Sequence, residues 1–163
     1  MLGPEDVKSY IDSRNIDAEV ILVTEGHTSD LAANSLDIDL NDVAKTVVFV
    51  DEKKHPVLAI VRGSVRIKQN QFAKLVGVSK LRLAATEEVI AMTGFPAGGV
   101  CPIGNLCTEK VYMDRELLTR KTLYAGGGTE KYLLKAPPDI IFRESGAILV
   151  DMPIQVATRQ SER

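Results

Sequence analysis

The chain is 163 residues long, which is enough for one domain with a substantial hydrophobic core. Its 45% hydrophobic and 26% charged residues are typical of a globular protein and exclude an intrinsically disordered chain. The formal net charge of -2 excludes a protein that grips a long stretch of DNA or RNA, because each phosphate contact requires a lysine or arginine. Any contact with nucleic acid should therefore be local, at one end of an RNA.

Cysteine and histidine are scarce in this chain. Cys101 and Cys107 are the only cysteines, and with two histidines they form no zinc-binding spacing. One cysteine pair is too few for a disulfide framework, which indicates a reducing compartment. No apolar stretch approaches the ~20 residues that span a bilayer, and the charged N-terminus is unlike a signal peptide. We expect a cytoplasmic protein without metal or membrane contact.

Hydrophobic periodicity predicts that helices and strands alternate along the chain. The predicted helices cover residues 4–15, a segment that starts at Thr28 or Ser29, a short turn from Asn41, and residues 70–77, 86–94 and 138–144. The predicted strands cover residues 18–23, 45–51, 57–63, 81–84, 110–113, 122–125, 132–134 and 147–151. Two apolar runs, 45–51 and 57–63, flank a charged turn, which indicates a hairpin buried on both faces.

These elements predict one α/β domain over residues 1–163, with a mixed β-sheet flanked by helices. Its core should cover about residues 18–152, and the polar tail from Thr158 should be frayed. No internal repeat, linker or low-complexity tract interrupts the chain.

Lys45 lies between a short helical turn and a buried strand. A lysine at the start of such a strand must direct its ammonium group to water or to an anion. The ordinary interpretation is a side chain that reaches solvent along the apolar surface. The functional alternative is a positive charge held at the rim of a pocket.

Residues 94–105 contain two prolines and four glycines, a composition that excludes regular helix or strand. Such a stiff loop can present backbone amide donors to a carbonyl oxygen or an anion, although a plain tight connection has the same composition. The glycines at 126–128 also leave two interpretations open, a hairpin turn or a close backbone approach to a ligand. Neither loop has the spacing of a phosphate-binding or dinucleotide-binding motif.

A covalent mechanism through Cys101 is the less favoured alternative. A cysteine nucleophile normally works with a histidine base. His55 lies in a charged turn and His27 lies in a loop just before a predicted helix, so neither is an evident partner for Cys101. The chain also lacks a G-x-S-x-G elbow and a Ser-His-Asp order.

Four segments, taken in order, resemble the YbaK/ProX family of aminoacyl-tRNA deacylases and the related editing domain inserted in bacterial prolyl-tRNA synthetases. The segments are LAANSLDIDLNDVAKTVVFV, VLAIVRGSVRIKQNQFAKLVG, LRLAATEEVIAMTGFPAGGVCPIG and LYAGGGTEKYLLKAPPDII. The third contains the pattern T-G-x-x-x-G-G-[VI]-x-P-x-G. No single segment is specific, but their order and spacing agree over roughly residues 28–151.

The resemblance implies a trans-editing hydrolase that cleaves the ester of mischarged aminoacyl-tRNA, such as Cys-tRNA(Pro) or one carrying a similar small amino acid. It implies that Lys45 is the catalytic residue and holds the aminoacylated 3′ end. The loop 98–104 would form the opposite wall, with backbone amides near the scissile carbonyl. The residues expected to bind substrate are Thr28, Thr46, Gly63, Gly98, Gly99, Val100, Cys101, Pro102, Gly104 and Gly126.

The resemblance further implies a reaction without cofactor, metal or protein nucleophile. In many family members water attacks and a ribose hydroxyl of the terminal adenosine assists, while in cysteine-specific members the thiol of the substrate takes part. Two positions bear on specificity. Cys101 stands where relatives more often have serine, and Thr46 matches YbaK-like members, whereas asparagine is typical of the alanine-editing branch.

The expected partner is the acceptor 3′ end of an aminoacylated tRNA, with an aminoacyl-tRNA synthetase as a further candidate. The candidates for a local basic rim are Arg62, Arg66, Lys68, Lys80 and Arg82. A non-catalytic module that binds a tRNA end or a synthetase is the main alternative, and a hydrolase of another small acyl ester is the third.

Overall fold

The computed structural model describes residues 1–23 and 38–156. Within these ranges the chain forms four α-helices, two short 3-10 helices and ten strands. The α-helices are α1 (Pro4–Ser13), α2 (Gln69–Val76), α3 (Thr86–Thr93) and α4 (Pro138–Ser145), and the 3-10 helices are Leu40–Asp42 and Arg115–Thr119. The strands are β1 (Glu19–Leu22), β2 (Ala44–Asp51), β3 (Pro56–Arg62), β4 (Val65–Ile67), β5 (Leu81–Leu83), β6 (Val111–Asp114), β7 (Leu123–Gly126), β8 (Tyr132–Ala136), β9 (Ile148–Val150) and β10 (Ile154–Val156).

The largest sheet has five strands in the order β5-β2-β3-β6-β9. Strands β3, β6 and β9 run parallel, whereas β2 is antiparallel to both β3 and β5. The predicted hairpin is confirmed as β2 and β3, in which Lys45 lies opposite Val61. Every residue from Val57 to Val61 has 0% exposure, which confirms that β3 is buried on both faces. The predicted mixed sheet is therefore confirmed.

A second sheet joins the first at the start of β2. This sheet has the strand order β1-β8-β7, and a parallel bridge pairs Val43 with Tyr124 of β7. On the other side of the hairpin, the N–H of Gly63 donates to the carbonyl oxygen of Val43 at 2.7 Å. Val43 is thus held by both β7 and the end of β3, so the strand that carries Lys45 begins at a fixed point.

The five-stranded sheet separates two apolar layers, here called the first core and the second core. The first core includes Leu58, Ile60, Val100, Met113 and Leu134. The second core includes Phe49, Ala59, Val61, Phe72 and Met152. Side chains alternate between the faces of a strand, so neighbouring residues of β2 and β3 enter different cores.

Two glycine-containing loops cross between the sheets, and the crossing has no room for side chains. The N–H of Gly128 donates to the carbonyl oxygen of Gly99 at 2.9 Å. A Cβ atom at Gly99 would lie 2.5 Å from the Cα of Thr129, and one at Gly126 would overlap the carbonyl oxygen of Val100. The glycines therefore allow two backbone segments to pass at van der Waals distance. The interpretation of residues 126–128 as a hairpin turn does not include this crossing.

Local signals fixed several element ends as predicted. Helix α2 ends at Gly77 and α3 at Gly94, both in the left-handed conformation at φ 79° and 86°. The turn predicted from Asn41 is the 3-10 helix Leu40–Asp42, and the side chain of Asp39 accepts the Asn41 N–H at 2.8 Å. The helix predicted from Thr28 or Ser29 and the tail from Thr158 lie outside the described residues.

Three elements were not predicted, namely β4, β10 and the 3-10 helix Arg115–Thr119. Strands β4 and β10 have three residues each and pair with one another, with Ile67 opposite Ile154. Three residues are too few to show strand alternation in a sequence. In the described ranges, no helix has both the length and the apolar character that crossing a membrane requires.

We expect Gly99→Ala to lower the free energy of unfolding by about 1–3 kcal/mol, because the added methyl group must displace the Thr129 backbone. Chemical denaturation measures this difference. Gly3→Ala is the matched control, since Gly3 has no atom within 4 Å of the added Cβ. Equal stability of both variants and the original protein would show that the two loops separate without cost.

Candidate active site

Lys45 is half-buried at the second position of β2 and projects from the face of the second core. Burial lowers the pKa of its ammonium group, and the positive charge of Arg66 lowers it further. Within residues 1–23 and 38–156, no carboxylate forms an ion pair with Lys45. A partly desolvated cation that lacks a neutralising carboxylate in the described ranges is a candidate for binding an anionic or strongly polar group.

Thr46 projects from the opposite face of β2, toward the first core. It lies opposite Ile60, and its Oγ1 atom is enclosed yet has no hydrogen-bond partner among the described residues. An enclosed hydroxyl group without a partner costs roughly 1–3 kcal/mol. Such groups are rare in folded proteins, and either an ordered water molecule or a ligand can supply the missing bond.

The loop 94–105 is closed by two polar side chains at its ends. Thr93 Oγ1 donates to the Val89 carbonyl oxygen at 2.7 Å and accepts the N–H of Phe95 at 3.1 Å. At the other end, Asn105 Nδ2 donates to the carbonyl oxygen of Cys101 at 2.9 Å. Thr93 is the first residue of the pattern T-G-x-x-x-G-G-[VI]-x-P-x-G, but neither Thr93 nor Asn105 was predicted as a site residue, although their positions at the two ends of a glycine- and proline-rich segment are a usable signal.

The inner part of this loop is buried in the first core, on the side that Thr46 faces. Val100 and Cys101 pack in that core, and Pro102 is also buried. Gly104 has φ 71°, and a Cβ atom there would lie 3.1 Å from Cγ of Tyr10, so a side chain would be both tightly packed and strained. Gly98 is exposed at φ 84°, so it forms the rim of the loop.

Cys101 has no exposed surface. Desolvation by burial raises the pKa of its thiol to about 12, although the N–H of Ile103 bonds to the sulfur and opposes this shift. A reactive cysteine requires access to substrate and a substantial thiolate population near neutral pH. Cys101 has neither, so the structure argues against the covalent alternative.

The structure brings most of the predicted site residues to one junction. Gly126 ends β7 against Val100, and β7 is joined to the start of β2 by the bridge at Val43. Gly63 lies at the same end of the β2–β3 hairpin as Lys45. Thr28 lies outside the described residues. The side chain of Lys45 leaves β2 on the face opposite to the loop. The resemblance predicts that Lys45 and the loop 98–104 form the two walls of one site, but these two walls do not both line the first core.

The candidate basic rim divides into paired and unpaired cations. Arg62 Nε lies 3.5 Å from Glu116 Oε2, and Arg82 makes two bonds to Glu88, at 2.7 and 3.0 Å. Across the described ranges, three members of the rim have no ion pair. They are Arg66, Lys68 and Lys80. In the same ranges, no three His, Cys, Asp or Glu side chains are grouped to hold a metal ion.

Comparison with known proteins identifies a family. The family model "Aminoacyl-tRNA editing domain" matches residues 23–142. A candidate Cys-tRNA(Pro)/Cys-tRNA(Cys) deacylase, EbsC of Enterococcus faecalis, is 28% identical over 119 residues, which are 72% of this chain and 73% of that protein. The proline-tRNA ligase of Solidesulfovibrio magneticus is 39% identical over 101 residues, which are 61% of this chain but only 17% of the ligase.

A solved structure agrees with the family match. It is described as a candidate trans-editing enzyme for prolyl-tRNA synthetase and superposes with a TM-score of 0.84 at 31% identity. The match covers 92% of this chain and 96% of the other. The resemblance to YbaK-like proteins is therefore confirmed, and the chain belongs to the aminoacyl-tRNA editing domain family.

Proposed function

We propose that this protein hydrolyses the ester of a mischarged aminoacyl-tRNA in trans. The observation that carries the proposal is Lys45, a half-buried cation without an ion-pair partner in the described ranges, at the end of the central hairpin. The family match and the activities after which EbsC and the structural neighbour are named support this class of reaction. Those names also make Cys-tRNA(Pro) the first substrate to test.

An aminoacyl ester is already activated, so its hydrolysis requires positioning and a few preorganised donors instead of a strong base. Water adds to the carbonyl carbon, the ester C–O bond breaks, and the ribose oxygen leaves with a proton that derives from the water. Each donor to the developing oxyanion contributes about 2.7–4 kcal/mol in favourable cases. Holding the reacting groups in place provides a further large part of the acceleration.

The described residues offer groups for both tasks. Lys45 would hold a phosphate oxygen of the aminoacylated 3′ end as a cation, from the face of β2 opposite to the loop. Gly99 donates its N–H to Pro96 within the loop, whereas the amides of Gly98 and Val100 have no hydrogen-bond partner in the described ranges. These two amides are the candidates that stabilise the oxyanion, and the unpaired Thr46 hydroxyl is a candidate contact for the amino acid.

The alternative is a module that binds a tRNA end or a synthetase without catalysis, since a cation and a rigid loop serve binding equally well. Hydrolysis of charged tRNA distinguishes the two functions directly. A cytoplasmic location stays a prediction in both cases.

Lys45→Ala should reduce deacylation at least about 100-fold, the effect of losing one preorganised electrostatic contact. The assay uses tRNAs charged with Cys, Ala, Ser, Thr and Pro, with wild type, Lys45→Ala and Lys53→Ala side by side. Lys53 is exposed in the turn at the other end of the same hairpin, so Lys53→Ala controls for the loss of one positive charge. The melting temperature of Lys45→Ala should stay close to that of wild type, because Lys45 has no partner to lose within the described ranges.

The pH profile adds a second test of Lys45. Since burial lowers its pKa, the fraction of charged Lys45 declines with rising pH earlier than for an ordinary lysine. Enzyme-dependent deacylation, corrected for spontaneous hydrolysis, should therefore decline with rising pH before the pH at which an ordinary lysine loses its charge. Full activity of Lys45→Ala would contradict its catalytic role, and binding of tRNA without hydrolysis of any ester would favour the binding module.

Cys101→Ala should retain deacylation within about threefold of wild type, because a buried thiol with a raised pKa supplies little nucleophile. The measurement is kcat/KM on the substrate identified above, together with the melting temperature to register the small cavity. Loss of hydrolysis in a folded Cys101→Ala variant would restore the covalent mechanism.

A further inference from the structure

Arg66 differs from the other arginines in the described ranges. Six of the seven arginines there pair with a carboxylate of the chain, whereas Arg66 has no such pair. The six pairs are Arg14–Glu144, Arg62–Glu116, Arg82–Glu88, Arg115–Asp151, Arg120–Asp42 and Arg143–Glu144. A chain that neutralises its guanidinium groups so regularly leaves Arg66 available for an external anion.

Arg66 points outward from the ribbon formed by β4 and β10. Val65 and Ile67 pack on the second core, so strand alternation directs Arg66 to the outer face, where it is exposed. Its cross-strand neighbour is Gln155, which has no charge. Lys68 follows two positions later and is also exposed without an ion pair among the described residues.

Arg66 and Lys68 form what is here called the cationic strip. Arg66 is the middle residue of β4, and Lys68 follows the last residue of that strand in an extended conformation at the N-cap of α2. The strip lies near the end of the hairpin that carries Lys45, because Lys45 pairs with Val61 and only two residues separate the end of β3 from Val65, where β4 begins. Arg66 also contributes to the lowered pKa of Lys45. A guanidinium group suits phosphate especially well, since its planar fork donates two parallel hydrogen bonds.

We propose that the cationic strip binds successive backbone phosphates of the tRNA acceptor end and directs the aminoacylated 3′ terminus toward Lys45. This inference rests on the proposed function and extends it to the path of the RNA. A chain with a net charge of -2 repels RNA as a whole, so a local cluster of unpaired cations must orient it. The strip is the place in the described ranges where an unpaired arginine and an unpaired lysine follow closely after the end of the hairpin that carries Lys45.

The first experiment measures binding of uncharged tRNA by wild type, Arg66→Gln, Lys68→Gln and the double variant at several salt concentrations. Each substitution should weaken binding about threefold to tenfold and reduce the slope of log K against log salt by about 0.7–0.9, the effect of one lost phosphate contact. Lys53→Gln is the matched control and should bind as wild type does. Unchanged affinity and slope in the double variant would overturn the proposal.

The second experiment compares aminoacyl-tRNA with the 3′-aminoacyl ester of adenosine, which has no backbone phosphate. The ratio of kcat/KM for tRNA to kcat/KM for the short ester should fall in both strip variants, mainly through KM. An equal loss on both substrates would place Arg66 and Lys68 inside the reactive site and overturn the strip. A loss that depends on an added synthetase would assign the strip to an acidic protein surface and also overturn it.

The two experiments separate this inference from the proposed function. Salt-dependent tRNA binding through the strip, without hydrolysis of any ester, would support the inference and contradict the deacylase. Hydrolysis with unchanged tRNA binding in the strip variants would support the deacylase and contradict the inference. No binding of tRNA by the wild-type protein would contradict both.

Discussion

The complete burial of β3 is the constraint on which the remaining structure depends. From Val57 to Val61 this strand has no exposed surface, so both of its faces must be covered and it must lie inside the sheet. Full burial of each large side chain contributes about 1.5–3 kcal/mol and admits no unpaired charge. Charged groups next to β3 are therefore confined to the ends of that strand. Lys45 lies at one such end because β2 runs antiparallel to β3.

The sequence predicted the parts of the fold that depend on local or strongly patterned signals. The β2–β3 hairpin was evident from two long apolar runs, and helices α2 and α3 ended at the glycines that allow a left-handed residue. The ribbon of β4 and β10 was missed because each strand is defined by a partner far away in the chain. Sequence periodicity contains no information on such a pairing when only three residues take part.

The candidate site shows the same division between local and tertiary information. The resemblance selected Lys45 and the loop 98–104. Strand alternation is sufficient to place the side chains of Lys45 and Thr46 on opposite faces of β2. Which arginines are neutralised was not predictable, because an ion pair such as Arg62–Glu116 joins segments that the fold brings together. Five cations of the candidate rim were equivalent in the sequence, and only the structure distinguishes Arg66 and Lys68 from Arg82.

The glycine-rich loop can be both a structural connection and a wall of the candidate site. The crossing of the two backbone segments holds the loop in place, and a wall of the site requires a loop that is held in place. Gly99 and Gly126 serve the close approach of two backbone segments, which also fixes the direction of the neighbouring amides. Donors that are already oriented require no reorganisation when charge develops on a substrate oxygen, and this is the source of their catalytic effect. A loop held by backbone contacts, with Thr93 and Asn105 bonding its ends, is therefore suited to a reaction that lacks a strong base.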